Sequence, residues 1–600
     1  AERRRLGYLA TGLDRFVLSG AGSVSPVAAS ARAALRLGLL GGAVFGVALS
    51  LAAAGLEPRL FAAPQDLVVL ALYLTAVSGI GVALLGFLAG LAAGWYGRRG
   101  GRKPGPTLSR NLGLALAVAG LVYLGFWLRS HAATTSLPGR ATAVALGLGL
   151  CLALGRFGFL AAVAVLAAGG VSDRLPEASL SRRHMLRLLA AAALLLVAGV
   201  AAASYFGGGQ VQAPPDFAVV PTGLRVRVLG VDGLDARMAE QMMGKGELPH
   251  LAQLLRSGAH GRLSVEPEQV PAIVWTTLAT GRGPESHGIQ SVGARRLAGM
   301  RTPVAFSGEG RLARAVGAAT DLLRLTRTQP PTAVLRGAKA FWNVASAKGL
   351  RVGVVNWWAT WPAEPVNGHL VSDRAFFKLE KGGPPEREVQ PASAFDRLRE
   401  LASSGEADRA RRLDRFALDA ARVLRSLGPL DLEATYLPGL DIVTMQQLGE
   451  AEAPDLATLD ARLDLVRAHY RFTDALIQEV VASLGPSDVL ILVGDPGRLA
   501  RRASSSPEGL LVMTGAGVAA GDLGRVTERD LAPTVLHLAG LPLSRELSGR
   551  ALETALSPEF RQAHPLRAVD SYGRRPSLAP AESGFDREMI EELKSLGYIK

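Results

Sequence analysis

The sequence predicts an α-helical transmembrane region of about five helices, followed by an α/β domain with a mostly parallel sheet covered by helices on both faces. Long Ala/Leu/Gly/Val runs gather before residue 206, and from residue 224 short apolar runs alternate with amphipathic helices. The 600 residues are also too many for one hydrophobic core. We therefore expect a transmembrane domain over residues 1–206, a Gly- and Pro-rich linker over 207–223 and the α/β domain over 224–600.

Five apolar stretches in the N-terminal domain are long enough to cross a bilayer, which takes about 20 residues. Arg156 lies in the middle of the fourth stretch, where a charge is costly. This stretch is either one long helix whose Arg156 faces a helix partner or two short helices, and we favour one helix. The expected spans are Leu37–Leu56, Leu67–Tyr96, Asn111–Leu128, Ala141–Gly169 and Leu188–Phe206.

The positive charge is concentrated in the N-terminal domain. Residues 1–206 hold 19 of the 66 basic and 6 of the 52 acidic residues, a net charge of +13, which leaves +1 for the remainder. A nearly neutral C-terminal domain argues against nucleic acid as a partner. Basic residues occur mainly in alternate loops, so the positive-inside rule predicts that the C-terminal domain is periplasmic or extracellular. We interpret the chain as an integral protein of a bacterial inner membrane. With Cys151 as its single cysteine, the chain can form no internal disulfide.

Short apolar runs after the linker predict strands at 224–231, 351–358, 433–437, 488–494 and 509–515. Amphipathic helices are predicted between them, at 235–257, 274–280, 337–349, 396–427, 457–484 and 527–539. This alternation is typical of a parallel sheet, whose ligands bind at the carboxyl ends of the strands. The charged segment 375–430 is predicted to be a helical insertion or cap with a solvated face.

Three predicted strands end in or near an aspartate: Asp232 in LGVDG, Asp441 in YLPGLD and Asp495 in LVGDPG. Any one of them alone is more typical of a turn or a helix cap. Together, at the strand ends of one sheet, they predict converging carboxylates, which bind hard cations or transfer protons.

The segments VRVLGVDGLD, GELPHLAQLLRSGAHGRL and VWTTLATGRGPESHGI resemble the type I phosphodiesterase/nucleotide pyrophosphatase branch of the alkaline phosphatase superfamily. DLAPTVLHLAGLP and the closing LKSLGYI agree with this resemblance, which covers about residues 224–600. It implies an alkaline phosphatase-like fold and a two-metal site, usually of zinc. Such a site activates a nucleophile and stabilises the leaving oxygen of phosphoryl transfer.

Residue by residue, the resemblance implies that Asp232, Asp441 and Asp495 are retained metal ligands. The positions of the nucleophile and of three metal-ligating histidines are occupied by Pro271, Met445, Pro496 and Ser505. Proline offers no side-chain donor, and methionine is a soft ligand unsuited to zinc among oxygens. His369 is the one histidine near a predicted strand end that could substitute for a missing metal ligand.

The sequence therefore leaves three functions open. We favour a membrane-anchored extracytoplasmic pseudoenzyme that acts as a binding or scaffold module, with no cofactor or with a single Mg²⁺ or Ca²⁺ on the aspartates. Its partners would be the lipid bilayer and other membrane or periplasmic proteins. The alternative is an active phosphodiesterase/nucleotide pyrophosphatase, or a lipid head-group phosphotransferase, with an altered zinc site. The third is a membrane function in transport or complex assembly, for which Arg156 is the indication.

Overall fold

A computed structural model of the chain forms two compact units, Ala1–Gln210 and Val211–Lys600. The described residues are 25–56, 64–98, 106–130, 137–168, 216–300, 317, 319–382, 384–403, 408–449, 455–576, 578 and 583–598.

Apolar helices make up the described part of the N-terminal unit. Three stretches in them are long and apolar enough to cross a membrane, namely Pro26–Val47, Asp66–Ala92 and Ser109–Phe126. The four helices are α1 (Pro26–Leu56), α2 (Pro64–Arg98), α3 (Pro106–Ser130) and α4 (Leu137–Ala168).

The structure adjusts the predicted spans in two places. Helix α1 begins at Pro26, before the predicted start at Leu37, because proline fits the first turn of a helix. Helix α4 is continuous, as favoured, but Arg156 is exposed on it and its guanidinium lies 5.7 Å from the Phe159 ring. Arg156 thus does not face a partner helix within the described residues. The fifth predicted span, Leu188–Phe206, lies outside them.

Glycines allow α1 and α2 to pack at close range. A Cβ atom added at Gly38, Gly42 or Gly46 would lie 2.6, 2.2 or 2.4 Å from a backbone oxygen of α2. These glycines are four residues apart and share one face of α1. Small residues at this spacing let helix backbones approach each other in a membrane, where packing drives association.

The second unit contains an extended sheet and two small strand pairs. Its strands are β1 (Arg225–Asp232), β2 (Ala259–Ser264), β3 (Ala294–Leu297), β4 (Thr326–Gln329), β5 (Val352–Val355), β6 (Gly368–Val371), β7 (Val389–Gln390), β8 (Leu432–Leu437), β9 (Asp488–Asp495), β10 (Glu508–Gly515), β11 (Gly521–Thr527), β12 (Leu543–Ser544) and β13 (Ala568–Val569).

Within the described residues, nine strands form one sheet in the order β11-β2-β10-β9-β1-β8-β5-β6-β7. The central strands β9, β1, β8, β5 and β6 are mutually parallel, which confirms the predicted fold class. Strand β10 runs antiparallel to β9 and to β2, and β7 runs antiparallel to β6. Each of the five predicted strands is present. Sequence reasoning missed the other four strands of this sheet. Strand β2 alternates between buried and half-buried residues, β11 is mostly exposed, and β6 and β7 are only four and two residues long.

Helices cover both the core strands and the sheet ends. The predicted helix 235–257 is two helices, because Gly246 takes a positive φ and Pro249 starts a new helix. The described helices of this unit are α5 (Ala236–Gly244), α6 (Pro249–Ser257), α7 (Pro271–Thr280), α8 (Pro284–His287), α9 (Phe341–Ala347), α10 (Ala375–Lys381), α11 (Phe395–Arg399), α12 (Arg409–Ser426), α13 (Gly439–Leu448), α14 (Leu456–Ala482), α15 (Gly497–Ala503), α16 (Leu531–Leu538), α17 (Pro558–Ala563) and α18 (Asp586–Ser595). Short 3₁₀ turns lie at Ala333–Leu335, Ala392–Ala394, Glu400–Ser403 and Glu553–Ala555.

Helix α12 lies in the segment predicted as an insertion or cap. One face of it packs against β5 and β8, and its Phe416, Ala417 and Leu424 are buried. This face belongs to the layer that covers the sheet. The face of α12 turned away from the sheet carries the arginines that give this segment its high charge.

Aromatic rings fill the core between α7, β8 and the segment after β5. The Trp275 ring lies 4.7 Å from Tyr436 and 5.3 Å from Trp357, edge to face in both pairs. The Trp357 indole N–H donates to the Trp275 carbonyl (2.8 Å), which satisfies a buried polar group. Gly230 of β1 leaves room for this ring, because a Cβ there would lie 2.4 Å from Trp275 Cζ3.

We expect Gly230→Ala to destabilise the protein by about 1–3 kcal/mol, since the added methyl group would press a fully buried ring against a packed core. Gly244→Ala is the matched control, because a Cβ at the end of α5 meets no atom within 4 Å. Thermal unfolding of the detergent-solubilised chain, followed by tryptophan fluorescence, should show a lower midpoint for the first variant alone. Equal midpoints would contradict the assigned packing.

Candidate functional site

The structure brings Asp232, Asp441 and Asp495 together at the carboxyl edge of the parallel strands. Asp232 and Asp495 end β1 and β9 and are partners in the strand register. Asp441 lies in the first turn of α13, which follows β8. The turn after β1 contains Gly233 at φ 94°, where a Cβ would lie 2.5 Å from the Asp441 nitrogen. Glycine is needed here both for the backbone conformation and for this approach.

Two buried arginines from α15 pair with two of these carboxylates. Arg498 Nε donates to Asp441 Oδ2 (2.6 Å), and the Arg498 backbone N–H donates to Oδ1 (2.7 Å). Arg501 Nη1 donates to both oxygens of Asp495. The side chains of Arg498 and Arg501 are 4% and 0% exposed. Charge-assisted hydrogen bonds of this kind are about twice as strong as neutral ones.

Burial lowers the pKa of both guanidinium groups, but the carboxylates beside them reverse this effect. Asp441 contributes most to raising the pKa of Arg498, and Asp495 most to raising that of Arg501. Both arginines therefore stay charged. They supply two fixed positive charges to a group of three carboxyl side chains.

Asp232 is the member without an arginine of its own. The Tyr436 hydroxyl donates to Asp232 Oδ2 (2.7 Å) and accepts from the Trp358 indole N–H (2.8 Å). Burial, and then the neighbouring Asp441 and Asp495, raise the pKa of Asp232 well above its usual value, against the lowering effect of Arg501. The structure thus gives Asp441 and Asp495 one guanidinium group each, and Asp232 a neutral hydroxyl donor.

The C-terminal segment closes one side of this group. Arg498 Nη2 donates to the Leu596 carbonyl (3.1 Å), and the Arg498 guanidinium lies 3.8 Å from the centre of the Tyr598 ring. The Tyr598 ring also packs edge to face against Trp358 at 5.2 Å. Arg498 thus joins Asp441 to a segment that lies 98 residues after Arg498 in the chain.

Glu528, which follows β11, is a further acidic side chain near Arg501 and Asp495. It is buried, and neither carboxyl oxygen has a hydrogen-bond partner among the described residues. Burial, together with Glu266 and Asp495, raises its pKa to about 8. Glu528 is therefore largely protonated at neutral pH.

A family model named type I phosphodiesterase / nucleotide pyrophosphatase matches residues 226–499, which span β1 to the first turn of α15. Residues 226–499 belong to this family. Its superfamily is that of alkaline phosphatase, as the sequence motifs predicted. The match contains the three aspartates and ends just after Arg498, so Arg501 and the C-terminal segment lie beyond it.

Solved structures that are similar to this chain include a phosphonate monoester hydrolase and two sulfatases. A phosphonate monoester hydrolase from Silicibacter pomeroyi is 14% identical over 56% of this chain and 76% of that chain, with a TM-score of 0.35. A putative sulfatase from Bacteroides thetaiotaomicron is 11% identical over 56% and 74%, with a TM-score of 0.35. A 2-O GAG sulfatase is 11% identical over 55% and 74%, also with a TM-score of 0.35. No curated protein matches the chain.

The second unit, Val211–Lys600, is called the phosphodiesterase-like unit below. Three of the four substituted positions in it are buried, and one is exposed. Pro271 begins α7 and is buried, and the preceding loop lies beside α15, since Glu268 N–H donates to the Arg501 carbonyl (3.2 Å). Met445 is buried in the second half of α13. Pro496 directly precedes α15, and Ser505 is exposed in the loop before β10. None of these four side chains offers a nitrogen donor to a cation.

Histidines elsewhere in the unit have other roles. His287 Nδ1 accepts from the Ile289 N–H (3.1 Å), its Nε2 lies 3.1 Å from Thr277 Oγ1, and burial lowers its pKa to about 3. It is a neutral residue that holds the loop after α7. His369 is at the amino end of β6, the edge of the sheet opposite to the aspartates. The idea that His369 could replace a missing metal ligand is therefore wrong.

The residues present do not fit the two-zinc site that this family implies. The carboxylate oxygens of Asp441 and Asp495 already accept hydrogen bonds from the arginines. Zinc sites use three or four side chains, commonly His or Cys, at about 2 Å. In the part of the chain that the structure describes, no cluster of three or more His, Cys, Asp or Glu side chains is arranged for a metal ion.

Sequence reasoning missed Arg498, Arg501, Tyr436 and Tyr598. A signal for the arginines was present, since GDPGRLARR places them three residues apart directly after a strand-end aspartate. At this spacing both side chains lie on one face of a helix. Nothing local marked Tyr598, which reaches the group only through the tertiary fold.

We expect Glu528→Gln to change the pH dependence of stability. The folded protein holds the Glu528 proton up to about pH 8, whereas the unfolded chain releases it near its ordinary value of 4.5. Stability from this group is therefore lost as pH rises between these values, by at most about 1.4 kcal/mol per pH unit. The variant should match wild type near pH 4.5 and have the higher unfolding midpoint at pH 9.

The control is Glu400→Gln, because Glu400 is exposed. Thermal midpoints of the detergent-solubilised chains at pH 4.5, 7 and 9 provide the measurement. An unchanged difference between the Glu528 variant and wild type across this range would show that Glu528 titrates as an ordinary carboxylate.

Proposed function

We propose that this chain is a membrane-anchored pseudoenzyme, whose phosphodiesterase-like unit acts outside the cytoplasm as a binding or scaffold module. The single observation that carries this proposal is the pairing of Arg498 with Asp441 and of Arg501 with Asp495. The family implies that these carboxylates bind two metal cations. In this chain they pair instead with two permanently charged guanidinium groups. The apolar N-terminal helices support the membrane anchor.

Electrostatics support an inert site rather than a rearranged one. Removing either arginine would leave a buried carboxylate without its partner, which costs about 3–5 kcal/mol in comparable pairs. A divalent cation would therefore have to displace a group that the fold already stabilises. Without cations or arginines, three bare aspartates at this edge would repel a phosphate dianion. The arginines remove this repulsion, but their side chains are too buried to serve as a phosphate site.

The reaction also lacks a nucleophile at the family's position. Pro271 has no hydroxyl, so no covalent intermediate can form there. Thr276 and Thr277 of the same helix are buried, and Thr276 Oγ1 donates to the Ala272 carbonyl (2.7 Å). These hydroxyls are used within the helix and its neighbouring loop.

We expect the purified full chain to hydrolyse neither bis-p-nitrophenyl phosphate nor p-nitrophenyl phosphate with added Zn²⁺, Mn²⁺ or Mg²⁺. Its rate should equal that of the Asp232→Ala/Asp441→Ala double variant, and elemental analysis should find less than stoichiometric zinc. Turnover by wild type that the double variant lacks would contradict the proposal. It would support the active phosphodiesterase or lipid head-group phosphotransferase instead.

The extracytoplasmic placement rests on the charge of the loops and has its own test. In a Cys151→Ser background, Arg397→Cys supplies one thiol on the exposed surface of α11. A membrane-impermeant maleimide should label it in intact cells to the same extent as in lysed cells. Labelling only after lysis would place the phosphodiesterase-like unit in the cytoplasm and remove this part of the proposal.

A further inference from the structure

The C-terminal helix α18 and the residues after it fill a groove on the phosphodiesterase-like unit. Met589, Leu593, Leu596 and Tyr598 point inward and are buried. The opposite wall includes Trp358, Phe377, Leu413 and Ile442. The outer face of α18 carries the exposed Arg587, Glu591 and Lys594. The segment is thus an amphipathic helix seated by its apolar side.

Ion pairs match acidic side chains of α18 to basic ones of the groove, one of them inside it and two at its rim. Arg374 Nη1 lies 2.6 Å from Asp586 Oδ1, in the first turn of α18. Further along, Glu592 pairs with both Arg409 (2.5 Å) and Lys381 (3.1 Å). Charge complementarity of this kind fixes the direction and register of a bound helix more than its affinity.

The far end of the groove reaches the aspartate–arginine group. Arg498, which pairs with Asp441, also holds the Leu596 carbonyl and the Tyr598 ring. The aromatic residue at the end of the segment therefore sits where the strands deliver their carboxylates. In parallel α/β sheets this edge is the one that binds ligands.

The helix does not fill the groove completely. A cavity of about 40 Å³ remains between α18 and the groove walls, enough for a few water molecules. Arg374 is fully buried at this cavity, yet its Nε and Nη2 have no hydrogen-bond partner among the described residues. A better-fitting helix could gain both contacts, since a buried donor left unpaired costs about 1–3 kcal/mol.

We propose that this groove is the partner-binding surface of the module, and that its partner is an acidic amphipathic helix followed by an aromatic residue. The chain's own C-terminal segment has this chemistry and occupies the groove until a partner displaces it. Helix-in-groove binding with apolar anchors is a common mode of peptide recognition. This inference rests on the proposed function, because it names the kind of partner that the module binds.

The test uses the detergent-solubilised full chain and a fluorescent peptide with the sequence of residues 583–598. Tyr598→Ala in the chain should loosen its own segment and strengthen peptide binding about ten-fold over wild type, measured by anisotropy. Glu592→Gln, which removes the partner of two rim cations, should act in the same direction and serves if the first variant folds poorly. Peptides carrying Tyr598→Ala or Glu592→Lys should bind more weakly than the original.

A matched pair of variants tests whether the peptide binds in the groove. In the Tyr598→Ala chain, Arg409→Gln should weaken peptide binding, whereas Arg397→Gln, on the exposed surface of α11, should leave it unchanged. Equal binding of the peptide and of a scrambled peptide, or no gain in either variant, would overturn the proposal. Exchange of C-terminal segments between two copies, seen as dimers without peptide binding, would also overturn it.

The activity assay separates this inference from the proposed function. A chain that hydrolyses phosphodiesters would refute the pseudoenzyme, whatever the peptide does. An inert chain that binds no peptide would leave the pseudoenzyme standing and remove only the groove as its binding surface.

Discussion

The structure of the phosphodiesterase-like unit depends on two buried ion pairs, Arg498 with Asp441 and Arg501 with Asp495. Both arginines come from one short helix after β9, and their partners lie at the end of β9 and in the first turn of α13. A carboxylate without compensation in such a place would shift its pKa or unfold the edge of the sheet. The fixed guanidinium charges of Arg498 and Arg501 therefore stabilise the aspartates at this edge. The cost is desolvation of four charged groups, which packing around them must offset.

The third aspartate shows how this edge is connected to the core. Asp232 accepts from Tyr436, whose ring packs on Trp275, and Gly230 makes room for that ring. The hydrogen bond and the ring contacts thus run from β1 through β8 to α7, the helix that begins at Pro271. Such a chain of contacts keeps the geometry of the site defined. It also gives the sequence motif around Trp275 a structural role, because this motif packs the core.

The same arginine that neutralises Asp441 also anchors the C-terminal segment. Arg498 uses its Nε for the carboxylate, its Nη2 for the Leu596 carbonyl and its face for the Tyr598 ring. A divalent cation could make the first of these interactions, but it offers neither a stacking plane nor directional donors to a carbonyl. A guanidinium group at this position can therefore hold a carboxylate, a carbonyl and an aromatic ring at the same time, which a metal ion cannot.

The sequence by itself determined the features that depend on local pattern. Apolar runs of five to eight residues predicted the strands at the centre of the sheet, their terminal aspartates predicted a common edge, and the motifs around Asp232 predicted the family. The resemblance also predicted that Pro271, Met445, Pro496 and Ser505 occupy the positions of the family's nucleophile and metal-ligating histidines. Only the tertiary structure decided that β10 runs antiparallel and that Arg498 and Arg501 turn toward the carboxylates. It alone brings Tyr598 from the end of the chain to the same place. The physical reason is that periodicity reports which side of an element is buried, whereas the partner of a buried charge is set by elements that meet only after the chain has folded.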